Sequence, residues 1–266
     1  MLKCPNSIAN VEKPEKNKVL AVVDIPLFGE TGRKVEIVDK ILDNRVFYIV
    51  SGHGGPDPGA RYTGKEHTLC EDEYAYDVAL RLAANLIKHG ATAYVIIRDP
   101  DDGIRNDRYL KCDKDEKDIN NKPLPKKQLD RLKQRCDDIN KLYRKYKNKG
   151  VKSQTTIIIH VDSRSYEKRQ DVFFYYWFGS KSGRKLALAI HKKFDAKYRK
   201  VQANRGYRGT VSPRNLYVLK HTLPPAVFLE LGNIRNKYDQ LRFILPDNRQ
   251  ALANWIYLGI KDAYER

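Results

Sequence analysis

Short apolar runs alternating with stretches of helical period constrain this chain more than any other feature. Val46–Val50 is a run of the kind buried on both faces of a sheet. Thr155–His160, Val172–Trp177 and Ala226–Leu229 read the same way. Between them the period changes. Over Asp72–His89, Val78, Leu82 and Leu86 join Ala75, Ala79 and Ala83 in one stripe, and Gly90 supplies a C-terminal stop. Gln128–Lys149 and Arg184–Tyr198 read as further helices, and Asp247 as the cap of a final one burying Leu252, Trp255, Ile256 and Gly259. Thr92–Ile97 and Leu216–Leu219 read as strands. Val19–Ile25 and Lys34–Val38 read as a hairpin around Gly29–Gly32. Strand then helix, repeated, predicts an α/β fold: a single central, mostly parallel β-sheet flanked by helices on both faces. The expected organisation is an N-terminal tail and short β-hairpin over 1–43, packed on or preceding the core, and one core domain over 44–266. A basic helical insertion is expected within the latter at about 111–152.

Several classes drop out at once. The densest apolar run, Val172–Phe178, is far shorter than the ~20 residues of a transmembrane helix, so no transmembrane segment is expected. Met1–Asn17 is polar and lacks the apolar stretch of a signal peptide. Cys4, Cys70, Cys112 and Cys136 show no CxxC spacing, which argues against a zinc knuckle or a disulfide scaffold.

The formal net charge is +18, which predicts an anionic partner. Its distribution is uneven. Residues 111–152 carry +8 and residues 181–208 carry +9, so the remainder is near neutral. Tyr143, Tyr146, Tyr198 and Tyr207 interleave with these basic residues, as stacking platforms for nucleic acid would; helix faces packed on a sheet account for the same spacing.

In open α/β sheets, ligands bind beyond the carboxyl ends of strands. Two histidines lie at such ends. His53 follows Val46–Val50 inside Ser51–Ala60, a glycine-rich loop that lacks GK[ST] and carries Pro56 and Pro58, so it is no phosphate cradle. His160 ends Thr155–Ile159. One strand-end histidine reads as structural; two in one sheet point to a metal, since neutral imidazole is a common zinc ligand. A third ligand would come from Cys70–Glu73. Glu71 has two readings, as ligand or as the closing glutamate of a Thr68–Glu71 capping box. Glu73 is the alternative ligand, and Cys70 a further one. His67 and His221 are possible supporting residues, while His89 lies near a helix C-terminus, where a cation is favoured. Glu230 ends the apolar strand 226–229, where an unpaired acid is costly. It reads either as an arginine partner or as a general base beside a metal-activated water.

These stretches carry a resemblance. Gly52–Ala60 looks like the GHGGxDPGA loop of the zinc-dependent N-acetylmuramoyl-L-alanine amidases. Glu71 with Asp77–Ala83 is similar to that family's second ligand and following helix, Ile158–Ser163 to its SIHAN segment, and Val227–Asn236 to its VExGFxSN segment. Val161–Asp162 stands in place of Ala-Asn, and Asn233–Asn236 in place of aromatic-x-Ser-Asn. The resemblance implies Zn²⁺ held by His53, Glu71 and His160, and Glu230 as the catalytic acid–base. It implies hydrolysis of the amide between N-acetylmuramic acid and L-alanine, with peptidoglycan as substrate and a periplasmic, cell-envelope or secreted location. With that substrate, segments 111–152 and 181–208 are expected to hold an anionic envelope polymer and not nucleic acid. A catalytically inactive envelope-binding domain of the same fold and, after it, a basic nucleic-acid-binding protein are the alternatives. In an oxidising envelope a Cys112–Cys136 disulfide becomes possible.

Overall fold

The computed structural model describes residues 19–202 and 204–265; the polar stretch Met1–Asn17 lies outside them. The chain enters through a hairpin of β1 (Ala21–Asp24) and β2 (Lys34–Ile37), linked through the short helix α1 (Gly29–Gly32). Phe28 and Val35 pin this hairpin to the main core. Then follow β3 (Arg45–Ser51), the small pair β4 (Arg61–Thr63) and β5 (Thr68–Cys70), and α2 (Glu71–Lys88). Strand β6 (Thr92–Val95) comes next, with a second small pair of β7 (Ile97–Arg98) and β8 (Lys117–Asp118). Helix α3 (Gln128–Asn148), β9 (Ser153–Asp162), β10 (Phe173–Tyr176), α4 (Lys181–Val201) and β11 (Val211–Pro213) follow. The chain closes with α5 (Tyr217–His221), β12 (Ala226–Asn233), α6 (Lys237–Ile244) and α7 (Pro246–Tyr264).

Six strands form the central sheet in the order β11-β10-β12-β9-β3-β6. β6, β3, β9 and β12 run parallel; β10 is antiparallel to β12, and β11 follows β10. The expected mixed but mostly parallel sheet is therefore present. From β3 the chain steps outward to β6 and then back past β3 to β9. Right-handed crossovers in opposite directions place the connecting helices on opposite faces. Accordingly α2, α4 and α7 cover Phe47, Ile49, Ile157, Ile159, Val227 and Leu229. On the other face, Cys136 and Ile139 of α3 and Val218 and Leu219 of α5 pack on Val46, Tyr48, Val50, Ile158 and Phe228. Both faces are buried, which is why these strands read as unbroken apolar runs.

Four local expectations are corrected. Leu216–Leu219 is not a strand: Tyr217–His221 is one helical turn, with Val218 and Leu219 facing the core. The final helix starts at Pro246, with the rigid ring in its first turn and Leu245 before it. A separate α6 precedes it, capped by Asn236, whose side chain accepts from Tyr238 and Asp239 amides. Within 111–152 only Gln128–Asn148 is helical. Finally, the disulfide joins Cys70 to Cys112 (Cα–Cα 5.8 Å), and Cys136 is a buried free thiol on the sheet-facing side of α3. The tyrosines take the packing role: Tyr198 is fully buried, Tyr94 and Tyr146 hydroxyls meet at 2.6 Å, and Tyr207 donates to the Val172 carbonyl at 2.9 Å.

Candidate metal and catalytic site

The site lies just past the carboxyl end of β3 and on the carboxyl-terminal halves of β9 and β12, where the chain reverses its strand order. Gly52 continues β3 by donating to the Ile159 carbonyl at 2.9 Å, which sets the start of the His53 loop against β9. A Cβ at Gly52 would fall 2.0 Å from the His160 ring, so glycine is required for the two elements to approach. Gly59, at φ +67°, closes the loop; a Cβ there would lie 2.6 Å from Glu71 Oε2 and 2.7 Å from the His53 ring.

Glu71 is the first residue of α2, and Cys70, not Thr68, precedes the helix. The capping box is therefore absent: Thr68 is in β5. The carboxylate instead gathers partners from three directions. Oε2 accepts from Ala60 N at 2.7 Å, and Oε1 accepts from Val161 N at 2.8 Å and faces His160 Nδ1 at 2.9 Å. His53 Nε2 lies 3.4 Å from Oε2. Ligand atoms of His53, Glu71 and His160 all lie within 4.8 Å of one another. Burial alone would raise the Glu71 pKa, but the His160 hydrogen bond and the electrostatic attraction of the two nearby imidazoles outweigh it, so the carboxyl titrates below its ordinary value. His160 is held neutral chiefly by burial. Two imidazoles and an ionised carboxylate, converging, form a donor set suited to zinc.

The other candidates go elsewhere. Cys70 is bridged to Cys112. Glu73 pairs with Arg105 at 3.0 Å and accepts the Asp113 amide at 3.0 Å. His67 stacks on Tyr109, and His221 donates to its own helix at Tyr217 O. His89 does cap α2 and pairs with Asp39 at 2.7 Å, but burial moves its pKa down, away from the cationic form.

Glu230 is in register with His160 on neighbouring parallel strands, so the two project from the same face. Its side chain makes no ion pair among the described residues. It is 8% exposed, and its Oε2 is buried without a hydrogen-bond partner. Burial, then the charges of Glu71 and Asp162, push its pKa well above the ordinary value; Arg214 and Arg164 offset part of this. The His160 ring is stacked on Phe228 at 4.2 Å, which fixes the imidazole beside the acid.

Three residues that sequence reasoning did not single out complete the site. Asp57 Oδ2 lies 3.1 Å from His53 Nδ1, close enough for an ion pair though not aligned for a hydrogen bond, and Arg131 holds the same oxygen at 2.6 Å. With His53 and Arg131 beside it, Asp57 titrates well below the usual carboxylate range. Arg135, one turn on, donates to the Gly52 carbonyl; burial lowers its pKa to about 10, still charged at neutral pH. The available signal was positional. Asp57 lies four residues after His53, and Arg131 and Arg135 share the apolar face of α3 with Leu132, Cys136 and Ile139. Asp57, Arg131 and Arg135, with Arg214, Tyr217 and Val218, wall a cleft of about 240 Å³ over His53, His160 and Glu230.

The family model for N-acetylmuramoyl-L-alanine amidase matches residues 48–262. The chain belongs to that family. A probable cell wall amidase, LytH of Staphylococcus aureus, is 26% identical over 222 residues, covering 83% of this chain and 58% of the relative. The chain thus spans a little over half of the curated relatives it matches. Among solved structures, the CwlD amidase of Clostridioides difficile, determined in complex with the GerS lipoprotein, superposes with a TM-score of 0.62 at 21% identity, covering 83% of this chain and 98% of that one. The amidase AmiC2 of Nostoc punctiforme gives 0.58 at 21% identity, over 85% and 99%. These amidase structures share the six-stranded fold.

Proposed function

We propose that this amidase-family chain is a zinc-dependent hydrolase that cleaves the amide between N-acetylmuramic acid and L-alanine of peptidoglycan, with residues 44–266 as its catalytic domain. The observation that carries the reading is the convergence of His53, Glu71 and His160 beside an unpaired, buried Glu230, with His53, His160 and Glu230 lining one cleft. His53, Glu71 and His160 would hold the ion, which when bound supplies a Lewis acid that lowers the pKa of water and polarises the scissile carbonyl. Asp57 and Arg131 keep the His53 ring oriented. Glu230 takes a proton from the attacking water and hands it to the departing amine, freeing a stem peptide that begins with L-alanine. Its raised proton affinity suits a group that must accept and then release a proton. Peptidoglycan as substrate places the protein in the cell envelope or outside the cell; no helix among the described residues is long and apolar enough to cross a membrane.

Complete removal of metal should stop stem-peptide release from purified sacculi, and added Zn²⁺ should restore it. Undiminished release by protein shown to be metal-free would overturn the zinc dependence.

A further inference from the structure

A second group of carboxylates gathers where the start of α2, the segment after β7 and the segment before β8 meet. Oxygens of Asp72, Glu73 and Glu116 lie within 4.8 Å of one another, as do those of Asp99, Asp113 and Glu116. Arg105 takes Glu73 and Asp102 out of this group by pairing with both. Asp72, Asp99, Asp113 and Glu116 make no ion pair with lysine or arginine among the described residues. Three of them are deeply buried, at 1%, 2% and 5% exposure for Asp72, Asp99 and Glu116. Their backbone partners occupy one oxygen each: Asp72 Oδ1 accepts Glu73 N, Asp99 Oδ1 accepts Asp101 N and Asp102 N, and Glu116 Oε2 accepts Gly55 N at 2.5 Å. Asp72 Oδ2 and Asp113 Oδ1 are buried with no partner at all.

Buried carboxylates without a counter-charge are expensive. Asp99, Asp113 and Glu116 bring three hard oxygen donors together and Asp72 lies beside Glu116; carboxylate oxygens of this kind, completed by water, are the ligands a cation of the calcium type takes. We propose that Asp99, Asp113 and Glu116, with Asp72 beside Glu116, form a Ca²⁺ site, separate from the His53–Glu71–His160 centre. In the metal-free chain, burial pushes Asp99 up to about 8, while Asp72 and Glu116 are raised by burial and then by neighbouring carboxylates, so these acids resist ionising. A bound cation removes that conflict. It also ties together the segment carrying Cys112, the start of α2 and, through the Glu116–Gly55 bond, the loop of His53.

The test uses the whole chain, stripped of metal, reloaded with one equivalent of Zn²⁺ and titrated with CaCl₂ while thermal unfolding is followed. The proposal expects a saturable rise in Tm of about 5 °C or more at a hundredfold excess over Kd. Asp99→Asn and Glu116→Gln should abolish the rise, and His53→Ala should keep it. Terbium serves as a second probe on unmutated protein. Tyr76, whose hydroxyl accepts the Asp99 amide at 3.1 Å, should sensitise its emission, and Ca²⁺ should displace it. No change in Tm up to about 5 mM CaCl₂, no terbium emission, or an equal Tm rise in the Asp99→Asn and Glu116→Gln variants would each overturn the site.

Discussion

Glu230 sits where a carboxylate gains nothing structurally: it lies within a fully buried strand, its Oε2 is unpartnered, and it makes no ion pair among the described residues. Glu230→Gln keeps the shape and removes the proton-transfer function. It should lower kcat by roughly 10²–10⁴ while leaving zinc content at the wild-type level; near-normal turnover in that variant would remove Glu230 from the reaction. Asp99 tests burial at a second position. Its carboxyl ionises from 3.8 when unfolded but is pushed up to about 8 in the metal-free fold. A raised folded pKa gives a contribution that is complete below the unfolded value and lost as pH climbs through the folded one. Metal-free Asp99→Asn should therefore exceed wild type by roughly 1–3 kcal/mol at pH 8.5 and by little at pH 4. Urea melts at both pH values measure this, and an equal difference at the two would contradict it. At this scale the sequence exposed His53, His160 and Glu230, because each lies at the end of an apolar run. Glu71 was ambiguous, because a capping box and a ligand share the same spacing; only the burial of its carboxylate against Ala60, Val161 and His160 separates them.

Among the elements, the junction of β5 and α2 bears most on the site. Cys70 immediately precedes Glu71, and its bridge to Cys112 closes a 42-residue separation. Cys112→Ser should cost about 2–4 kcal/mol in denaturant unfolding and weaken zinc binding by loosening the start of α2. Unchanged stability would show that the bridge does not form in solution. An oxidising envelope made a Cys112–Cys136 bridge possible, but separation in sequence cannot show a pairing; the fold packs Cys136 beside Ile139 against the sheet and brings Cys112 to Cys70. The same logic governs α5 and α6. Each is too short to show a helical period, so its apolar residues pass for strand or loop until packing fixes them. The long helices and buried strands were legible because their periods persist over several turns or a whole run.

Taken whole, the molecule joins a near-neutral sheet core to two basic stretches. Their charges are not all free. Arg131 and Arg135 are buried in the cleft wall, Arg205 pairs with Asp171, and Lys193 with Asp262. Arg199 pairs with Asp195, while Lys141, Arg144, Lys145 and Lys147 of α3 and Lys185, Lys192 and Lys200 of α4 remain exposed. That exposed set fits a role in holding anionic envelope polymer. Raising salt from about 0.05 to 0.5 M should then weaken sacculus binding several-fold more than it slows cleavage of a small soluble muramoyl peptide; equal loss of both would leave the basic stretches without that role. The central claim concerns which bond breaks. Mass spectrometry of peptidoglycan digested by the zinc-loaded chain reads it directly. The account predicts free stem peptides with an N-terminal L-alanine amine, together with glycan carrying intact lactyl carboxylates. Fragments cut within the peptide, with L-alanine still joined to muramic acid, would contradict it.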